Sequence, residues 1–327
     1  CLRRDVPLVI SLIAEQLREP AFDPGEFEKL KSRLAGALRR QLENTDAQAR
    51  EAFNGAIYPR EHPNYVPPVR EFLAALATAE LDDVKTFHAR HYGPKGLTLV
   101  LVGDVDVAAT QAAVRQGFDG WQGGSAILRA KLPATMSADA VPERTVRMAD
   151  KPSVSVVWGQ SSGLRHGDPD ALALRVGTAI LGSGFTGRLL ANVRDKEGLT
   201  YGIGAVLTND TFNDGEWRIV GTFAPELLDQ GLASTRRQLD SWHQAGVTAQ
   251  ELHDRKSNLA GSFKVQLATT DGLAATLLQT VERGYDLTWI DEYPAKVQAL
   301  TLEQVNNAIR RHLDPKKMVL VRAGTLP

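Results

Sequence analysis

Apolar side chains recur at helical spacing along most of this chain, and short apolar runs between them predict strands. Leu172, Val176 and Ile180 lie on one helical stripe; it breaks at a glycine corner (Gly182, Gly184, Gly187) and resumes with Leu189, Leu190 and Val193. Gly198 predicts the stop of that second helix, and the run from Tyr201 to Thr208 predicts a strand, so Arg194 and Tyr201 flank a helix-to-strand turn. A partner strand, Trp217 to Phe223, follows across the turn-rich loop 209–215, and an earlier strand contains Val154, Val156 and Trp158. Two long helices carry the stripes Phe27, Leu30, Leu34, Leu38 and Leu252, Leu259, Phe263, Leu267. Two Pro-Lys turns each introduce a short apolar strand, Leu97 to Val102 and Met318 to Val321.

These paired features belong to a diverged internal repeat. Residues 26–46 laid over 251–271 agree at ten positions without a gap, among them Glu26, Leu34, Gly36, Leu42 and Asp46 against Glu251, Leu259, Gly261, Leu267 and Asp271. Unrelated segments of that length share about one or two. A second block, from Leu81 to Gly103, matches Leu302 to Gly324 in the same order. The expected organisation is therefore two tandem homologous α/β-roll domains of α+β class, with an antiparallel-rich sheet packed by helices. The first covers residues 1–130, the second 148–327, and an Ala-, Pro-, Ser- and Thr-rich linker, 131–147, joins them. Copy two carries roughly a hundred residues before its matching helix and copy one only about twenty-five. The first domain is thus expected to be incomplete at its N-terminus, its front removed or supplied by another polypeptide.

Charge narrows the function classes. The 327 residues hold 38 basic and 39 acidic side chains, so no basic field invites nucleic acid and none draws the chain to an anionic membrane. No apolar run reaches transmembrane length, and no signal peptide is evident. Cys1 is the single cysteine, which excludes a disulfide framework and a thiolate metal cluster. The chain opens Cys-Leu-Arg-Arg-Asp without methionine and reads as a fragment.

Candidate chemistry gathers between Gly182 and Gly202. A guanidinium and a phenol held together, as Arg194 and Tyr201 would be, can donate to a carbonyl and to the oxyanion it becomes. The same residues have a structural reading: an arginine at a helix C-terminus, favoured by the dipole, and a tyrosine half-buried at a strand start. Residues 182–187 also satisfy G-x-G-x-x-G, but a helical stripe precedes them where a dinucleotide fingerprint needs a strand. His88 and His91 sit three apart with no glutamate joining them, and Asp82 with Asp83 and Asp210 with Asp214 read as helix-start and loop residues.

The run GRLLANVRDKEGLTYGIGA (187–205) resembles the second-domain signature of the pitrilysin and insulin-degrading-enzyme family of inverted zinc peptidases. FHARHYGPKGLTLVLVGDVD (87–106) resembles the end of that family's first domain, and REPAFDPGEFEKLKSRL (18–34) resembles its middle. The resemblance implies tandem α/β rolls forming two halves that close around a peptide. It also implies a zinc held by H-x-x-E-H and a more distant glutamate. No segment here fits H-x-x-E-H, and Ala37 stands where the glutamate is expected, so the resemblance implies no metal in this chain and zinc in a partner half. Arg194 and Tyr201 match the family's substrate-binding pair, which holds the peptide main chain beside the zinc of the opposing half.

The function so implied is the substrate-binding, non-zinc half of a zinc metalloendopeptidase, inactive alone and with no catalytic residue of its own. The expected partners are a zinc-bearing half or subunit and a peptide substrate; a dimer is one arrangement left open. The competing reading is a catalytically inert structural or peptide-binding subunit of the same fold, and a third has the intact polypeptide carrying its own zinc upstream. Tandem bacterial relatives look exported, so the expected compartment is the periplasm.

Overall fold

A computed structural model describes residues 1–125 and 143–326, and the chain divides into two compact units. One gathers Cys1–Ala37, Leu73–Ala130 and Lys264–Leu287; the other gathers Leu38–Phe72, Lys131–Phe263 and Thr288–Pro327. The early chain is helical: α1 (Val6–Arg18), α2 (Pro24–Leu42), α3 (Thr45–Ile57), α4 (Val69–Thr78), α5 (Leu81–His91) and α6 (Val107–Phe118). Next come β1 (Glu143–Arg147), β2 (Val154–Ser161), α7 (Ala171–Gly182), β3 (Gly202–Thr208) and β4 (Glu216–Phe223). The chain then runs through α8 (Leu228–Ala245), α9 (Ala249–Leu267), α10 (Thr270–Glu282), α11 (Trp289–Ala299), α12 (Leu302–His312) and β5 (Val319–Gly324). The class is the expected mixture of helices with a largely antiparallel sheet. The repeat is visible in the caps: Asn44 and Thr269, 225 positions apart, accept from the backbone N–H of Ala47 and Gly272 and start α3 and α10 alike.

The second unit is built on one sheet of order β1-β5-β2-β4-β3, in which only the β1–β5 pairing is parallel. β2 is apolar on both faces, so the sheet needs cover on both. On one face Val154, Val156 and Trp158 of β2 join Ile203, Ala205 and Leu207 of β3 and Trp217, Ile219 and Phe223 of β4 against α7, α8 and α12. Trp217 stacks on Trp242 at 5.7 Å between ring centres, and their indole N–H groups donate to Thr178 Oγ1 and the Gly177 carbonyl. On the other face Val157, Val319, Val321 and Ala323 meet Ala49, Phe53 and Ile57, the four-residue stripe of α3.

The first unit has less to bury. α1 packs on α6, where a Cβ on Gly117 would stand 3.0 Å from that of Ala14. α2, α5 and α6 bury no side chain fully: Leu30, Leu34, Phe87 and Val107 remain exposed. Here the expectations need two corrections. Leu97–Val102, expected as a strand, forms none, because no strand among the described residues stands beside it to complete a ladder. The linker expected at 131–147 lies partly outside the described residues, at 131–142, but its last five residues form strand β1. Glu-Arg-Thr-Val-Arg is too polar to predict a buried strand, and β1 lies at a sheet edge, where polar residues are tolerated.

Matched sequences with and without a ladder should differ in hydrogen exchange. Backbone amides of Val319–Val321 are expected to exchange on the order of a thousandfold more slowly than those of Leu99–Leu101, read residue by residue by NMR or mass spectrometry. Equal protection would mean that Leu97–Val102 finds strand partners in solution.

Candidate functional site

The corner between α7 and β3 is assembled from short-range chain signals. α7 ends at Gly182, and Gly184 turns the chain with φ of +70°, a conformation that strains any residue with a side chain. The following helical segment widens into a π-helical turn, Leu190–Lys196, in which the Glu197 N–H reaches the Asn192 carbonyl five residues back. Such turns are rare and recur at functional sites. Gly198, at φ of +66°, ends it by donating to the Arg194 carbonyl, and the chain enters β3 directly after Tyr201.

Arg194 and Tyr201 come together. The guanidinium carbon of Arg194 lies 5.8 Å from the Tyr201 ring centre and 5.5 Å from that of Phe185, placing the cation beside two aromatic rings. Its Nε also faces the Asp195 carboxylate at 3.3 Å. The Tyr201 ring is 92% exposed and Phe185 75%, so neither serves a hydrophobic core. A tyrosine half-buried at a strand start, the structural reading of this residue, does not describe Tyr201.

Two arginines hold the corner from below. Arg188 makes a two-pronged ion pair with Glu251 at the start of α9, both contacts 2.6 Å, and donates to the Gly246 carbonyl. Burial pushes the Glu251 carboxyl upward, but the Arg188 pair and the Thr248 hydrogen bonds outweigh it and pull the pKa down to about 2. Arg255, nine-tenths buried, donates to the Ser183 carbonyl at 3.0 Å and to Thr186 Oγ1 at 3.3 Å. Among the described residues no carboxylate pairs with it, and burial lowers its pKa. Phe185, Arg188 and Arg255 were not evident as site residues, since their contacts join positions up to 72 apart. The one signal in the sequence was the phenylalanine inside a glycine corner.

With this geometry in place, similarity to known proteins becomes informative. Residues 78–259 match the model of the peptidase M16 inactive domain. The chain belongs to that family. A non-peptidase homolog, YmxG of Helicobacter pylori, is 24% identical over 313 residues, covering 93% of this chain and 69% of the relative. A solved M16 inactive domain from Pseudomonas fluorescens superposes with a TM-score of 0.87 at 26% identity, over 98% of this chain and 74% of that one. The periplasmic protease PqqL of Escherichia coli shares the fold, with a TM-score of 0.64 at 18% identity over 91% of this chain and 33% of its own.

Zinc is the metal named among M16 relatives, and the donor set here does not fit it. Among the described residues no group of three or more His, Cys, Asp and Glu is arranged to hold a metal ion. His88 Nε2 is spent on the Leu17 carbonyl and His91 Nδ1 on Ser125 Oγ, while Ala37 contributes only a methyl group. No helix among them is long and apolar enough to cross a membrane.

The depressed Glu251 pKa gives the M16 corner a pH signature. Its stabilisation is present above the unfolded value near 4.5 and is lost as pH falls from there toward about 2. Glu251→Gln is expected to melt at a lower temperature than wild type at pH 7 and to lose less Tm across that acid window, as thermal unfolding followed by circular dichroism would record. Parallel acid limbs for the two proteins would remove the pair as a source of stability.

Proposed function

We propose that this chain is the substrate-gripping, non-zinc half of a zinc metalloendopeptidase, with Arg194 and Tyr201 holding the main chain of a bound peptide. The observation that carries the reading is the grouping of the part-buried Arg194 guanidinium with the exposed Tyr201 ring on a turn braced from beneath. A guanidinium N–H and a phenolic O–H can both donate to one peptide carbonyl oxygen, and such donors gain strength as negative charge develops there. This chain's part is to bind, orient and stabilise charge; zinc comes from a separate half, upstream in the same polypeptide or on another subunit. A periplasmic location is proposed on the wording used for the related PqqL.

The second reading is an inert scaffold or peptide-binding subunit, favoured by the name non-peptidase homolog given to the Helicobacter pylori relative. A scaffold needs no cation set against a fully exposed phenol, which weighs toward a working substrate site.

Purified alone with added zinc, the chain is expected not to hydrolyse an unfolded peptide; turnover abolished by a chelator would overturn the assignment to a non-zinc half. Assayed with a zinc-bearing half, Arg194→Ala should lower kcat by on the order of a hundredfold, as loss of an oxyanion donor does. An unchanged kcat removes Arg194 from catalysis and leaves the inert subunit as the better account.

A further inference from the structure

Phe185 is an anomaly in energetic terms. A phenylalanine three-quarters exposed on a glycine corner forgoes most of the stabilisation that burial of such a side chain provides. An exposed phenylalanine on a mobile loop would attract little notice, but this corner is anchored on three sides. Behind it, a Cβ on Gly182 would stand 2.1 Å from the backbone nitrogen of Ala205, so the chain lies directly against β3. Below it, Arg255 holds Ser183 and Thr186, the residues on either side of the Gly184–Phe185 pair, and Arg188 ties the next turn to Glu251. A nearly buried guanidinium with no carboxylate beside it among the described residues is costly to keep, and the first copy of the repeat has Leu30 at the matching position. What that cost secures is a rigid platform whose apolar ring points away from the core, 5.5 Å from the Arg194 cation.

We infer that Phe185 is a specificity-determining residue: it receives a large apolar side chain of an extended peptide whose neighbouring carbonyl is held by Arg194 and Tyr201, and Arg255 is the residue that positions it. The inference rests on the peptide-gripping reading above and adds to it the class of side chain preferred. The three groups divide the work. Arg194 and Tyr201 recognise the main chain, which every peptide has, whereas Phe185 offers an apolar ring that rewards only peptides able to cover it. The ring's contact with the guanidinium also gives Phe185 an edge over a flexible aliphatic residue, because the cation restrains it before the peptide arrives.

The test uses the intact chain and two fluorescein-labelled Gly/Ser-rich peptides that differ only in a central Phe or Ser, with affinity read by fluorescence anisotropy. Wild type is expected to bind the Phe peptide about tenfold more tightly than the Ser peptide. Phe185→Ala should erase that preference while leaving the Ser peptide's Kd unchanged, and Phe185→Leu should retain part of it. Arg255→Met, which keeps apolar volume but removes both donors, should weaken the Phe peptide more than the Ser peptide and so shrink the preference. Arg194→Ala should weaken both peptides, and the Phe peptide at least as much as the Ser peptide, because it also frees the Phe185 ring. If Phe185→Ala keeps the wild-type preference, or wild type shows none, the role given to Phe185 is wrong while the Arg194 grip stands. If Arg194→Ala binds both peptides as wild type does, or wild type binds neither at millimolar concentration, the underlying reading fails and this one with it.

Discussion

A sheet that is apolar on both faces cannot rest on helices from one side alone, and that constraint organises the second unit. β2 and β5 sit in the middle of the strand order with nearly every side chain out of water. α7, α8 and α12 cover one face, and α3, drawn from the early part of the chain, covers the other with Ala49, Phe53 and Ile57. Emptying either layer would expose a row of branched aliphatics; truncation of one aromatic such as Phe53 in a fully packed position costs about 3–5 kcal/mol. The firmness of β3, on which the candidate site leans, is inherited from this double cover through β4.

The proposed grip on a peptide would set two opposed requirements for this corner. Groups that grip a peptide must be exposed, yet exposed side chains on a loop wander, and wandering weakens both binding and charge stabilisation. The corner meets both by keeping its anchors beneath the surface. Glycine at 182 permits backbone contact with β3, Gly184 and Gly198 take the left-handed turns, and Arg188 and Arg255 bind carbonyl and carboxylate oxygens below. Above them, Phe185, Arg194 and Tyr201 face outward as one grouping. The π-helical turn contributes here as well, since its wider spacing changes the direction in which Arg194 leaves the backbone relative to an unbroken α-helix.

Much of this was legible along the chain, because the signals were local. The stripe Leu172, Val176, Ile180 became α7, the runs after Tyr201 and Glu216 became paired strands, and Arg194 stands by Tyr201 because only a glycine-terminated turn separates them. What escaped the sequence depends on partners distant in it. β1 is a polar edge strand recognisable only beside β5. The π-turn shares its apolar spacing with an α-helix and differs in hydrogen bonds that a stripe does not report. Arg255 looks like any charged helix residue until its guanidinium is seen against Ser183, 72 positions away.

The duplicated segments turn this distinction into an internal control. Leu97–Val102 and Met318–Val321 follow matched helices and matched Pro-Lys turns, and both carry the branched apolar residues that favour strands. Among the described residues only the second pairs, with β2 on one side and β1 on the other. Local preference is nearly constant between the copies, so the difference lies in the neighbours: β1 and β2 complete a ladder for the second run, and no described strand does so for the first. The same comparison separates fold from chemistry. Positions that set caps agree between copies in role, as Asn44 and Thr269 do, and most stripe positions stay apolar, whereas at the place where Arg255 braces the glycine corner the other copy has Leu30, half exposed and holding nothing of the kind. Residues that diverge between two copies of one fold, while costing stability in the copy that keeps them, are therefore the ones whose presence a functional account has to explain.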